Sequence, residues 1–188
     1  PPKLFITICK MLAALDLNHD QSNIILEKPL GHDLKSALEI NEQVLTYFNE
    51  DHIYRIDHYL GKASVQNLLT LRYSNLLFEH IWNKDAIDNV QISISEDIGI
   101  EGRGAFYDDT GALKDMVQNH LLQLLCLIAM EPPSILNQEE IRAEKVKVLK
   151  ALEPLSEETI KQRTVRGQYS QGSDAIGCTL PSYVADAE

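Results

Sequence analysis

The sequence has no long apolar run, no basic excess and no paired cysteines, and each shortage excludes a class of protein. Its longest apolar stretch, Leu121 to Met130, is broken by Gln123 and falls short of the roughly 20 residues a membrane helix needs. Pro1-Pro2-Lys3 opens neither a secretory leader nor a transit peptide. No membrane partner is expected. Lysine and arginine number 17 against 28 aspartates and glutamates, a net charge of −11, and the basic residues are scattered. Nucleic-acid binding calls for the opposite balance, so no such partner is expected. A small anionic substrate stays open, because a pocket needs only two or three local cations whatever the overall sign. Cys9, Cys126 and Cys178 are odd in number, widely spaced and without a C-x-x-C pair, which implies a reducing, cytoplasmic setting. Six histidines include no H-x-x-x-H pair and no cysteine at ligand spacing, so no metal is expected.

What is present is a folded composition, 44% hydrophobic and 24% charged over 188 residues, enough to bury a core. Phe5, Ile8, Cys9, Leu12 and Leu15 follow helical spacing. Asn23 to Glu27 reads as a buried parallel strand, Lys28-Pro29-Leu30-Gly31 as a turn, and Asp33 to Phe48 as a helix capped by Asp33. The expected inner face of that helix is Leu34, Leu38, Asn41, Leu45 and Phe48. Ile53 to Asp57 is a second strand, completing α/β grammar. After Asp57-His58 the style becomes mixed α+β. Helices are predicted over 61–73, 76–82, 111–130 and 138–152, with Cys126 packed inside the third. Val90 to Glu96 alternates with period two and reads as a strand, as does Thr164 to Tyr169. Gly99 to Gly104 and Ser170 to Glu188 read as loops.

The chemistry concentrates in Arg55-Ile56-Asp57-His58-Tyr59-Leu60-Gly61-Lys62, between a strand end and a helix start. A helix N-terminus offers free N–H groups and positive potential, so it attracts anions. Lys62 in the first turn is electrostatically misplaced unless an anion binds there, and His58 and Tyr59 can hydrogen-bond phosphate oxygens. Read alone, Lys62 reaches into solvent and His120 is a satisfied core histidine. Gly102-Arg103-Gly104 is not a dinucleotide loop, because Tyr107 stands where a third glycine belongs.

Arg55 to Lys62 is identical to the signature octapeptide of glucose-6-phosphate dehydrogenases. Glu27-Lys28-Pro29-Leu30-Gly31 resembles that family's E-K-P-(F/L)-G turn, and Glu101 to Gly104 with Asp115 to Gln123 resembles its third block. The resemblance runs from Pro1 to about Tyr169. It implies a fold of α/β followed by α+β: the tail of a Rossmann-like parallel layer (1–57), then part of a large, mainly antiparallel sheet packed with helices, the substrate domain (58–188). It implies oxidation of glucose 6-phosphate to 6-phosphogluconolactone with hydride transfer to NADP, or to NAD in its place, in the pentose phosphate pathway and in a homo-oligomer. His120 then matches the catalytic base and Asp57 its carboxylate partner. His58, Tyr59 and Lys62 match the phosphate-binding group. Lys28, Glu96 and Asp115 match residues on the sugar hydroxyls, with Lys28 also near the nicotinamide.

The family's glycine-rich pyrophosphate turn has no counterpart in these 188 residues, so the chain is expected to be an internal fragment without dehydrogenase activity of its own. Exposed strand edges would favour self-association. The competing expectation is a non-catalytic sugar-phosphate-binding or interaction module. A hydrolase or isomerase using Asp57 and His120 lacks a nucleophilic serine or cysteine in a suitable motif.

Overall fold

Parallel strands cannot be joined by a tight turn; the chain must travel back before it pairs. Residues 28–52 make that return. In the computed structural model, which describes residues 4–95, 99–100, 102–174 and 176–187, β1 (Ile24–Glu27) pairs in parallel with β2 (Ile53–Ile56), in the register Ile24↔Ile53 to Glu27↔Ile56. Helix α2 (Leu34–Leu45) forms the crossover, and α1 (Phe5–Ala14) precedes β1. The start of α2 is fixed locally. Ser36 N donates to Asp33 Oδ1 at 2.7 Å, and Asp33 N donates back to Ser36 Oγ at 3.1 Å. Each bond satisfies a backbone donor that the first turn would otherwise leave orphaned.

Cys9, Leu26, Val44, Phe48 and Ile53 form the core of this first unit, Pro1–Lys62. The inner face of α2 is therefore Ala37, Ile40, Asn41 and Val44. Leu34 and Leu38, expected there from their spacing, are 76% and 52% exposed. The helix also ends at Leu45 rather than Phe48, and Phe48 is buried from the segment that follows. β1 is not buried on both faces either: Leu26 lies inside while Ile25 is 64% exposed. Two strands cover one face only with this core, and Ile25, Tyr54 and Ile56 remain outside it.

Between β1 and α2 the chain turns through a cis Lys28–Pro29 bond and Gly31 at φ +99°. A Cβ on Gly31 would lie 2.6 Å from the backbone nitrogen of Ala37, so both the dihedral and the space demand glycine.

The second unit, Ala63–Glu188, is mostly helical. Its helices are α3 (Ala63–Tyr73), α4 (Leu76–Glu79), α5 (Gly104–Ala112), α6 (Leu122–Ala129), α7 (Gln138–Ala151), α8 (Glu157–Arg163) and α9 (Tyr183–Ala187). Leu113–Leu121, between α5 and α6, is a π-helical stretch with i→i+5 bonding. Gly111 (φ 67°, ψ 166°) breaks the helical path just before it. The predicted helix over 111–130 is thus real but wider in its first half, and a further helix, not predicted from the sequence, occupies 104–112 directly after the expected loop Gly99 to Gly104. Gly102 makes the tight turn at φ +75° that precedes it.

The alternation holds over 91–95, with Ile92 and Ile94 half-buried against exposed Gln91, Ser93 and Ser95, but Val90 is exposed and the segment forms no strand. A strand needs a partner for its backbone groups, and no described residue pairs with this segment. Thr164–Tyr169 fails as a strand for the same reason. Conversely, Ser170–Glu188 is not all loop. Gly172–Ser173 (β3) and Thr179–Leu180 (β4) form a short antiparallel ladder, and α9 follows. There the Tyr183 hydroxyl donates to Asp108 Oδ1 at 2.5 Å, which pushes the phenol up to about 12. α/β followed by α+β describes the chain.

Gly31→Ala is expected to lower stability by more than about 1 kcal/mol, measured as a lower urea midpoint; an unchanged midpoint would contradict the tight turn.

Candidate active site

Carboxyl ends of parallel strands leave a crevice where ligands of α/β proteins bind. The register here ends at Glu27↔Ile56, so the next residues, Lys28 and Asp57, emerge together at that edge. Both are half-buried. Two sequence-predicted site residues that are 29 positions apart in the chain, on the numbering of the sequence, are thus brought to one place by the ladder.

From that edge the chain enters a 3₁₀ turn, His58–Gly61. Asp57 caps it, with Oδ1 accepting from Tyr59 N at 3.0 Å. The cap tucks Tyr59 inside, 6% exposed, and leaves His58 on the surface with its ring 5.1 Å from the Tyr59 ring. Lys62 does not lie in the first turn of α3 but just before it. Its Nζ sits 3.6 Å from the Tyr59 ring centroid, and the negative face of the ring holds the ammonium there. His58, Tyr59 and Lys62, expected as a phosphate-binding group, therefore form one cluster. Arg55 of the same octapeptide is engaged elsewhere. Its guanidinium holds both carboxylate oxygens of Glu50, at 2.7 and 3.0 Å, and also Asn41 Oδ1, tying β2 to α2.

His120 belongs to the second unit and Asp57 to the first. His120 is 1% exposed in the π-helical stretch, and its backbone N–H donates to Asn119 Oδ1 at 2.6 Å. In an α-helix, residues five apart diverge by about 140°. The i→i+5 bonding of this stretch brings them onto one side instead. Asp115 and His120 are five apart, so the wider coil gives two predicted site residues a common face. Glu96 lies outside the described residues. The thiols of Cys9 and Cys126 are buried, and burial pushes both up, away from the reactive thiolate.

Sequence reasoning missed Arg72 and Trp82. Arg72 is 5% exposed and donates to the carbonyls of Leu127 and Met130; Trp82 Nε1 donates to Ile128 O at 2.8 Å. A signal was available: Arg72 stands seven residues after Val65, at an inward position of α3 where an apolar residue would be expected.

A parallel α/β unit with polar side chains at its carboxyl edge is the kind of fold in which α/β proteins place a ligand crevice, and a helical unit with a buried histidine follows it in the chain. Residues 1–67 match the family model "Glucose-6-phosphate dehydrogenase, NAD binding domain", and residues 69–188 match "Glucose-6-phosphate dehydrogenase, C-terminal domain". The chain belongs to the glucose-6-phosphate dehydrogenase family. It is 54% identical over 187 residues to glucose-6-phosphate 1-dehydrogenase of Mycolicibacterium smegmatis, covering 98% of this chain and 38% of that protein. It is 47% identical to the Rhizobium meliloti enzyme, covering 100% and 38%. A solved structure described as glucose-6-phosphate dehydrogenase in complex with its substrate glucose-6-phosphate superposes with a TM-score of 0.86 at 44% identity, over 99% of this chain and 37% of that one. The Mycobacterium avium enzyme gives 0.80 at 43% identity, over 90% and 37%. The chain thus spans well under half the length of the relatives it matches. Among the described residues, no helix is long and apolar enough to cross a membrane.

Asp57→Ala is expected to cost about 1 kcal/mol through loss of the cap, and Asp57→Asn about half of that or less. Thermal melting of the two variants checks the order; equal losses would mean that the Tyr59 N bond contributes nothing.

Proposed function

We propose that this chain supplies the sugar-phosphate side of a glucose-6-phosphate dehydrogenase, which oxidises glucose 6-phosphate at C1 to 6-phosphogluconolactone. The carrying observation is the register that delivers Lys28 and Asp57 to one strand edge beside the His58–Tyr59–Lys62 cluster.

His58, Tyr59 and Lys62 hold the phosphate. The tyrosine ring keeps the ammonium positioned, so less freedom is lost when the anion arrives. Lys28, Glu96 and Asp115 orient the sugar hydroxyls. His120 takes the proton of the C1 hydroxyl on an imidazole nitrogen as the C1–H bond breaks, and the C–O bond becomes a carbonyl. Asp57 hydrogen-bonds the imidazole and stabilises the imidazolium that forms. The half-buried position of Lys28 at the carboxyl edge suits the nicotinamide end of a dinucleotide. NADP at that edge would supply the acceptor for the hydride that leaves C1. NADP rather than NAD, a cytoplasmic location and a homo-oligomeric assembly belong to the same reading, as does a place in the pentose phosphate pathway. A non-catalytic sugar-phosphate module would keep the cluster but lose the chemistry.

In the full-length protein, His120→Asn is expected to lower kcat by about 10²- to 10⁴-fold while glucose 6-phosphate still binds by calorimetry; wild-type turnover in that variant would exclude His120 as the base. The 188-residue chain alone is expected to give no NADP reduction with glucose 6-phosphate. Turnover above background would show that these residues suffice for cofactor binding.

A further inference from the structure

The last carbonyls of an α-helix have no N–H of their own helix to accept from. In α6 the final internal bond runs from Met130 N to Cys126 O at 2.8 Å, which leaves the carbonyls beyond Cys126 to find other donors. The chain immediately downstream offers little, because Pro132 and Pro133 carry no N–H. Instead two other elements reach in. Arg72, from the last turn of α3, donates through Nη1 to Leu127 O and through Nη2 to Met130 O at 2.8 Å. Trp82, just past α4, donates to Ile128 O at 2.8 Å, and its ring stacks 5.1 Å from the Arg72 guanidinium carbon. The cation is at the negative end of the helix dipole and is buried there, where the attraction is screened least.

This end cap sits seven residues after His120, and α6 continues the π-helical stretch without interruption at Leu121 and Leu122. Seven residues are about two helical turns, so the capped carbonyl of Leu127 and the imidazole lie on roughly the same side. The other end of the stretch is not held this way, because Gly111 breaks the helix with a left-handed dihedral. The C-terminal side of the stretch is therefore an anchored reference for the axial and rotational setting of His120.

We infer that Arg72, with Trp82, is a positioning residue for the His120 base: a buried brace that fixes the register of the histidine-bearing helix through the carbonyls of Leu127, Ile128 and Met130. This rests on the proposed role of His120. The guanidinium fork matters to the brace, because a lysine is a single point charge that cannot span two carbonyls in fixed geometry.

The test uses the full-length protein with Arg72→Lys, Trp82→Phe and His120→Asn, measuring kcat per folded site, KM and the primary isotope effect with glucose 6-phosphate deuterated at C1. For Arg72→Lys the expected result is a fall in kcat of about 10- to 100-fold, KM within about twofold, and a larger isotope effect on kcat because the chemical step becomes limiting. Trp82→Phe removes one donor and is expected to move the same quantities less far; it carries the test alone if Arg72→Lys does not fold. A loss that follows only the unfolded fraction, with the isotope effect unchanged, would overturn the brace. So would wild-type kcat in Arg72→Lys alongside an inert His120→Asn. Wild-type kcat in His120→Asn would instead overturn the functional reading itself.

Discussion

Everything in the first unit depends on four residue pairs held in parallel, Ile24–Glu27 against Ile53–Ile56. Parallel pairing aligns the carboxyl ends of both strands, so whatever follows each strand emerges at the same edge. An antiparallel pairing of these segments would put Lys28 beside the start of the second strand and separate it from Asp57. The ladder in turn depends on a return path of the right length, which the Asp33–Ser36 capping box and the Gly31 turn define at its start. The packing of Val44 and Phe48 against Leu26 and Ile53 then holds the crossover onto the sheet. Burying side chains of this size is worth about 1.5–3 kcal/mol each, so the core, rather than the eight-residue ladder, supplies most of the cohesion.

The second unit solves a different problem: how to hold a polar imidazole in an apolar helix. A regular α-helix from Gly111 to Met130 would direct Asp115 well away from His120. Widening to i→i+5 bonding costs some hydrogen-bond quality, and such stretches recur at functional sites for that reason. The cost is offset where the same helix is strongly anchored. Arg72 and Trp82 supply side-chain donors to three carbonyls at the end of α6, and the irregular half lies immediately N-terminal to that helix.

How far the sequence could be read follows from the range of the forces involved. The Asp33 cap was legible because its partner is three residues away. The parallel strands were legible because β-branched runs on either side of a helical period admit few other arrangements. The octapeptide singled out His58, Tyr59 and Lys62 by residue type, and the structure joins those side chains through the Asp57 cap and the Tyr59 ring. Val90–Ser95 was misread because alternation reports which face is buried but not whether a partner strand exists. The inner face of α2 was misread because the leucines at Leu34 and Leu38 outweighed Ala37 and Ile40 in the pattern, although the smaller residue marks where the Gly31 turn presses closest. Arg72 was illegible as a brace because its partners are main-chain carbonyls more than 50 positions away, as the sequence is numbered, and carbonyls leave no mark in a sequence.

The charge of the chain sharpens the proposed function. A net −11 over these 188 residues repels a phosphate dianion at long range, so this part of the protein contributes no steering toward one. At physiological ionic strength that repulsion fades beyond about 8 Å, and what remains is the local arrangement. Of the groups in the cluster, Lys62 is held over an aromatic face that does not neutralise it, whereas Arg55 has already given its charge to Glu50. The distinction is physical: a guanidinium locked in a bidentate carboxylate pair has little left to offer an incoming anion, while an ammonium on a ring quadrupole keeps its full charge and the N–H donors not directed at the ring. Within the octapeptide, an acidic chain keeps one cation available to an anion by pairing the structural one with a carboxylate and the proposed binding one with a ring. Among the described residues of the octapeptide, Arg55 and Lys62 divide along that line.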